Sequence, residues 1–162
     1  MTKRFFISIP LLIISVFANS TTRSDPFENT FDVIAAPTIY SYTWESLLTR
    51  LSPLCRASTR SGREQYKNGN VECDEIVHAL SISIMSGPNI SVIDATFIGA
   101  AKCDYMRKAL IKNYGNPTTS KGVCNLDWRL PTPRGKPQRS VGMELSERDD
   151  KIYFSIGEEQ GP

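Results

Sequence analysis

The sequence contains a single histidine, His78, and no two cysteines at the Cys-x-x-Cys spacing. Zinc sites and redox-active dithiols depend on close pairs of such ligands, so both are disfavoured. The glycine-rich phosphate loop, the nucleophile elbow and the metalloprotease helix are absent as well. We therefore predict no catalytic residue, no metal site and no cofactor, although carboxylates far apart along the chain leave an enzyme open.

An excess of charge is also missing from most of the chain. The formal net charge is +2, and it rests on Lys3 and Arg4. Without residues 1–18 the chain holds 17 basic and 17 acidic side chains. Nucleic acids and anionic membranes attract clustered Lys and Arg. This balance disfavours both as partners.

Long apolar runs are confined to the N-terminus. Lys3 and Arg4 precede an apolar stretch over residues 5–18, and polar residues 19–22 follow it. The stretch is too short to span a bilayer comfortably and has the order of a secretory signal peptide. We expect a mature chain that begins near Asn19, has no membrane span and is periplasmic or secreted.

All four cysteines lie beyond this segment. An oxidising compartment favours two disulfides, and more than one connectivity is possible. We favour Cys55 with Cys73 and Cys103 with Cys124, because each bridge would then fasten a helix to the strand after it. Each closes a loop of roughly 20 residues, worth about 3 kcal/mol in the chain-entropy picture.

The clearest predicted element is an amphipathic helix over residues 102–115. Its apolar side chains recur at helical spacing from Met106 to Tyr114. Gly115 offers a left-handed cap, and Pro117 prevents the helix from continuing.

Period-two alternation follows this helix and predicts strands with one buried face. One strand covers residues 124–130, with Trp128 inward. Two more, 141–146 and 151–156, form a hairpin. The turn places three apolar pairs on one face: Leu145 with Ile152, Met143 with Phe154, and Val141 with Ile156.

The first half shows a looser version of this order. Residues 43–51 are predicted to form a helix with Thr43 as N-cap, ended by Pro53. A polar loop over residues 56–70 and a strand at residues 71–73 follow.

A hairpin is then predicted over residues 76–98, with its turn at Gly87 and Pro88. This register puts His78 on the apolar face, as a structural histidine, and Asp94 on the other face, so no His–Asp dyad is expected. The predicted pairs are Ile84 with Ser91, Ile82 with Ile93, Leu80 with Ala95, and His78 with Phe97.

We therefore predict an α+β fold of two loosely repeated helix-plus-antiparallel-sheet units, stapled by disulfides. Residues 1–18 are the signal peptide and residues 19–42 an N-terminal extension. Residues 43–162 form a single domain. Its possible repeat units are residues 43–101 and 102–159, because the two hairpin turns and the two helices are similarly spaced.

Candidate binding residues come from the outward positions of the C-terminal strands. Tyr153 and Arg129 are the expected anchors, with Asp127 and Glu144 beside them for orientation, because tyrosine and arginine on a rigid sheet dominate many interfaces. Two basic loops, residues 56–70 and 131–138, are further candidates. They would favour an acidic partner surface.

The order of helix, cysteine-bearing strand and hairpin, given twice, resembles the tandem-repeat secreted β-lactamase inhibitor proteins. Residues 110–117, followed by Trp128 in the next strand, are similar to part of the small outer-membrane-assembly lipoproteins. No cysteine stands near the predicted cleavage site to carry a lipid. The resemblance implies a sheet surface that binds a protein.

The sequence thus favours an exported, non-enzymatic binding protein whose partner is another protein, such as an inhibitor or immunity protein. Two alternatives stay open: a small cell-envelope hydrolase with an unrecognised carboxylate site, and a structural envelope factor.

Overall fold

The computed structural model describes residues 25–51, 55–60, 67–73, 79–86, 90–132 and 134–159. The predicted signal peptide lies outside these residues, as do His78 and the predicted turn at Gly87 and Pro88. Within the described ranges, three helices accompany one antiparallel sheet of eight strands. The predicted α+β class is confirmed.

The elements follow a simple order along the chain. They are α1 (Pro26–Ile34), α2 (Trp44–Leu51), β1 (Cys55–Arg60), β2 (Lys67–Cys73), β3 (Ala79–Ser86), β4 (Ile90–Ile98), α3 (Cys103–Tyr114), β5 (Thr119–Gly122), β6 (Asn125–Leu130), β7 (Gln138–Ser146) and β8 (Lys151–Glu159). Short 3-10 turns occupy Pro37–Ser41 and Ala100–Lys102. The strand order across the sheet is β1-β2-β3-β4-β8-β7-β6-β5, so β4 and β8 join the two halves.

Both predicted helices are present, α2 with the expected N-cap and α3 with the expected C-terminal glycine. Pro53, the predicted end of α2, lies outside the described residues. The Thr43 hydroxyl of α2 accepts a hydrogen bond from the Ser46 amide at 3.2 Å, which makes Thr43 the N-cap. After α3, Gly115 adopts φ 77° and its amide donates to the Ile111 carbonyl at 2.8 Å. A left-handed glycine ends the helix as predicted.

Hairpin registers were predicted correctly in one case and wrongly in the other. The β7–β8 pairs match the prediction, including Met143 opposite Phe154. In β3–β4 the prediction is wrong by two residues, because Ile82 pairs with Ala95 and Ile84 with Ile93. Irregularities at both ends of this pair shift the register. An even shift keeps the same side chains on the buried face.

The polar segment predicted as a loop contains two strands. Residues 55–60 and 67–73 pair as β1 and β2, with Arg56 opposite Glu72. In the second half, β5 is a further strand that the sequence analysis missed, and all of its residues are exposed. Polar edge strands carry little hydrophobic alternation, so the period-two pattern does not reveal them. Each half therefore has four strands after its helix, and a true repeat stays a prediction.

Residues 25–41 form core structure that the sequence analysis did not predict. The Asp25 side chain caps α1 by accepting from the Phe27 amide at 2.9 Å. Phe31 is fully buried, with ring centroids 5.2 Å from Phe154 and 5.9 Å from Phe97. Ile39 is buried in the same core cluster. This segment packs on the sheet instead of extending from it.

Two disulfides have the predicted connectivity. Cys103, the first residue of α3, is bridged to Cys124 in the turn before β6, as expected for a helix-to-sheet bridge. Cys55 and Cys73 are directly opposite each other in β1 and β2. That bridge therefore joins two strands and does not fasten α2 to the sheet.

One face of the sheet carries the core. Inward residues of the strands share a single buried cluster with α1, α2, α3 and the 3-10 turn Pro37–Ser41. Trp128 is 2% exposed, and its indole nitrogen donates to the Gly115 carbonyl at 2.9 Å. No helix among the described residues is long and apolar enough to cross a membrane.

Candidate functional site

The side of the sheet opposite the core is lined by the alternate residues of its strands, and we call it the outer face. In β8 the inward residues Ile152, Phe154 and Ile156 are buried, whereas Tyr153 and Ser155 are exposed. The same alternation exposes residues of β4, β6 and β7. A one-sided core is the usual state of an antiparallel sheet.

A concavity of about 480 Å³ lies on this face, and we call it the central concavity. Residues from five strands line it: Asp94, Ala95, Thr96, Lys121, Asn125, Leu126, Asp127, Gly142, Met143, Glu144, Tyr153, Phe154 and Ser155. They come from β4 in the first half and from β5 to β8 in the second. The pairing of β4 with β8 brings the two sets together.

One row of paired residues crosses the floor of the concavity. Asp127 pairs with Gly142, Gly142 with Ser155, and Ser155 with Asp94. A Cβ atom added at Gly142 would stand 3.1 Å from the Ser155 hydroxyl and 3.3 Å from Asp127 Oδ1. The missing side chain at Gly142 therefore leaves an open space above β7 that both oxygens border.

The next row is centred on Tyr153. This residue pairs with Glu144 on one side and with Thr96 on the other. Its side chain is 44% exposed, and Ile98, on the same face, is 38% exposed. Large half-exposed side chains on a rigid sheet are typical interface anchors.

Arg129 lines a second, adjoining concavity of about 240 Å³. Asp127 and Ser155 line both concavities, so the two concavities are continuous on the outer face. The Arg129 amide donates to the Thr118 hydroxyl at 2.9 Å, which ties β6 to the chain just before β5. Arg129 itself is exposed, and Asp127, two residues before it on β6, lines the same concavity.

Carboxylates dominate the charge of the central concavity. Asp94, Asp127 and Glu144 line it together with one ammonium group, that of Lys121. Partial burial raises the pKa of Asp94 above that of an ordinary aspartate, because desolvation disfavours the charged form.

The four predicted binding residues all lie on the outer face, as their strand positions indicated. Three of them, Tyr153, Asp127 and Glu144, line the central concavity, and Arg129 lines the adjoining one. Whether they bind a partner stays a prediction.

Sequence reasoning missed Asp94, Lys121 and Gly142 as members of the site. Alternation along β4 placed Asp94 on the outward side, but no local pattern indicated that β4 pairs with β8. Lys121 lies on a strand that was not predicted.

The two basic loops are only partly described. Residues 61–66 of the first lie outside the described residues, and the rest of that segment belongs to β1 and β2. In the second, Arg134 and Lys136 are exposed. Neither of these two side chains lines the central concavity.

A separate polar cluster on the core side has a structural explanation. The Arg139 guanidinium stacks 3.9 Å from the Tyr40 ring centre and pairs with Glu158 at 3.0 Å. The Tyr40 hydroxyl donates to the Gly157 carbonyl at 3.2 Å, and burial raises the pKa of Tyr40 to about 12. These groups fasten the 3-10 turn Pro37–Ser41 to the sheet.

Metal ligation finds no support in the described residues, where no three His, Cys, Asp or Glu side chains are grouped closely enough to hold an ion. In comparisons with protein-family models, with curated proteins and with solved structures, nothing matches this chain. The outer face is therefore the feature on which a function has to be argued.

Proposed function

We propose that this protein is an exported, non-enzymatic binding protein that holds another protein on its outer face, as an inhibitor or immunity protein does. The observation that carries the proposal is the half-exposed Tyr153 at a concavity whose lining residues all belong to strands. Protein interfaces commonly have an aromatic anchor that becomes buried when the partner binds, with polar side chains around it.

The polar surround is formed by side chains that fix orientation. Glu144 pairs with Tyr153, and Asp127 and Arg129 lie two residues apart along β6. Ile98 extends the apolar contact toward the end of β4. Because strands and not loops carry these residues, a partner would meet a surface that changes little on binding.

Two disulfides and the predicted signal peptide support the exported part of the proposal. Structural disulfides persist in oxidising compartments and are rare in the cytosol of most organisms. Every described cysteine is bridged. The expected location is the periplasm or the medium.

The proposal is tested by placing a photo-crosslinking residue at Thr96, which pairs with Tyr153 in the central concavity, and, as a control, at Lys112 on the helix side. Position 96 should capture one dominant protein from an envelope or culture-fluid extract, and position 112 should not capture it. With that partner purified, changing Tyr153 and Arg129 together to Ala should weaken the complex by more than about 2 kcal/mol.

Arg148→Ala provides the matched control for this double variant, because it removes an exposed arginine from the β7–β8 turn. It should leave the affinity unchanged. Full affinity in the double variant would contradict the proposal.

A second candidate function is a small cell-envelope hydrolase. The observation that favours it is that Asp94, Asp127 and Glu144 line one concavity and that burial raises the pKa of Asp94, because acid catalysts often have such raised values. Hydrolysis of an envelope polymer that is lost in Asp94→Asn would support it. Hydrolysis that Asp94→Asn leaves unchanged would count against this site.

A further inference from the structure

We propose that the partner presents a lysine or arginine side chain on a protruding loop, and that this cation enters the central concavity, which is lined by Tyr153 and by the carboxylates of Asp94, Asp127 and Glu144. The inference rests on the proposed function and adds the chemistry of the partner surface. It differs from the acidic partner that the basic loops predicted.

The charge of the central concavity favours a cation. Three carboxylates face one ammonium group, Lys121, in the central concavity. The salt bridges found among the described residues lie elsewhere, within α3 and between Arg139 and Glu158. The lining of the concavity therefore holds two more carboxylates than ammonium groups, and Arg129 in the adjoining concavity still leaves an excess of one carboxylate. This excess favours a cationic loop over an acidic one.

The hydrogen-bond acceptors of the concavity also favour a lysine or arginine side chain. Lysine and arginine side chains carry several donors and no acceptor. The concavity offers carboxylate oxygens and the Ser155 hydroxyl, which borders the open space above Gly142 together with Asp127 Oδ1. A cation that enters there meets acceptors from two strands without displacing a side chain at Gly142.

The aromatic ring of Tyr153 favours a cation as well. Tyr153 stands between Glu144 and Thr96 and is 44% exposed. An ammonium or guanidinium group over the face of a tyrosine ring is also attracted by the π electrons of that ring. The carboxylates are spread over three strands and do not group as metal ligands in the described residues. This favours a side-chain cation, which needs only one of them, over a bare metal ion.

The test presents the purified protein with a phage-displayed library of disulfide-closed peptide loops. The double variant with Tyr153→Ala and Arg129→Ala serves as a parallel bait. Loops that bind the wild type and not this variant bind the outer face. Among them we expect lysine or arginine to be enriched at one position relative to the unselected library.

The interaction between this cation and the carboxylates is then removed from each side of the complex in turn. Replacing the cation in the loop by glutamine should raise the Kd about tenfold or more, and so should at least one of Asp94→Asn, Asp127→Asn and Glu144→Gln in the protein. These exchanges keep the side-chain size and lie at solvent-facing positions, so the fold should persist. Glu147→Gln, on the β7–β8 turn, is the matched control and should leave the Kd unchanged.

Two results would overturn the inference while leaving the proposed function in place. One is a set of outer-face loops without an enriched cation, and the other is an unchanged Kd in all three charge variants. Loops that bind both baits equally would place the binding site elsewhere and would contradict the proposed function as well.

Discussion

At the scale of single residues, Tyr153 and Phe154 are neighbours in β8 with opposite environments. Phe154 is 2% exposed and contacts the ring of Phe31, whereas Tyr153 is 44% exposed on the outer face. Phe154→Ala should therefore lower the free energy of unfolding by about 3–5 kcal/mol, because it leaves a cavity in the core. Tyr153→Ala should cost about 1 kcal/mol or less. Urea titrations check both, and equal losses would show the face assignment to be wrong.

Asp94 gives a prediction about pH. Partial burial raises its pKa in the folded protein, so the stability it contributes is fully present below the pKa of an unfolded aspartate, about 3.9. That stability is lost as the pH rises through the raised folded value. Asp94→Asn stays neutral, and its thermal midpoint should therefore exceed that of the wild type at pH 7.

The gain of Asp94→Asn over the wild type should shrink as the pH falls toward about 3. Ser155→Ala removes a neutral neighbour on β8, and its effect should be the same at both pH values. Calorimetry at the two pH values measures these differences. A gain for Asp94→Asn that grows in acid would contradict the direction of the pKa shift.

At the scale of elements, α1 contributes most to the part of the core that was not predicted. Phe31 packs against β4, β8 and α3 through Phe97, Phe154 and Tyr105. Phe31→Ala should lower the free energy of unfolding by about 3–5 kcal/mol. Asn29→Ala, at an exposed position of the same helix, should change it by about 0.5 kcal/mol or less. A small effect of Phe31→Ala in urea unfolding would mean that α1 is not docked.

At the scale of the whole molecule, one sheet joins the two halves. Seven residue pairs link β4 to β8, and a single core cluster contains Trp44 from the first half and Trp128 from the second. These are the two tryptophans of the chain. Unfolding should therefore be one cooperative transition, because opening either half exposes the core of the other.

Variants with a single tryptophan report on this cooperativity. In Trp44→Phe the tryptophan fluorescence comes from Trp128 in β6, in the second half. In Trp128→Phe it comes from Trp44 in α2, in the first half. In each variant, fluorescence and far-UV circular dichroism should give the same urea midpoint. Separated midpoints would show that the halves unfold independently.

Local sequence patterns determined the elements with strong periodicity. Helices α2 and α3, the β7–β8 register and the outward positions of Tyr153, Arg129, Asp127 and Glu144 followed from side-chain spacing, because one-sided burial fixes both the period and the face. Sequential disulfide pairing followed from the order of the elements. The short helix α1 and the polar strands β1 and β5 were missed, because weak alternation leaves their structure to tertiary contacts.

Tertiary structure alone decided which strands are neighbours. Nothing in the local pattern of β4 indicates that it pairs with β8 instead of another edge, because strand pairing depends on contacts distant in sequence. That one pairing brings Asp94 beside Ser155 and Tyr153 and so completes the central concavity. The sequence therefore determined which residues face outward, and the sheet topology determined which of them share a site.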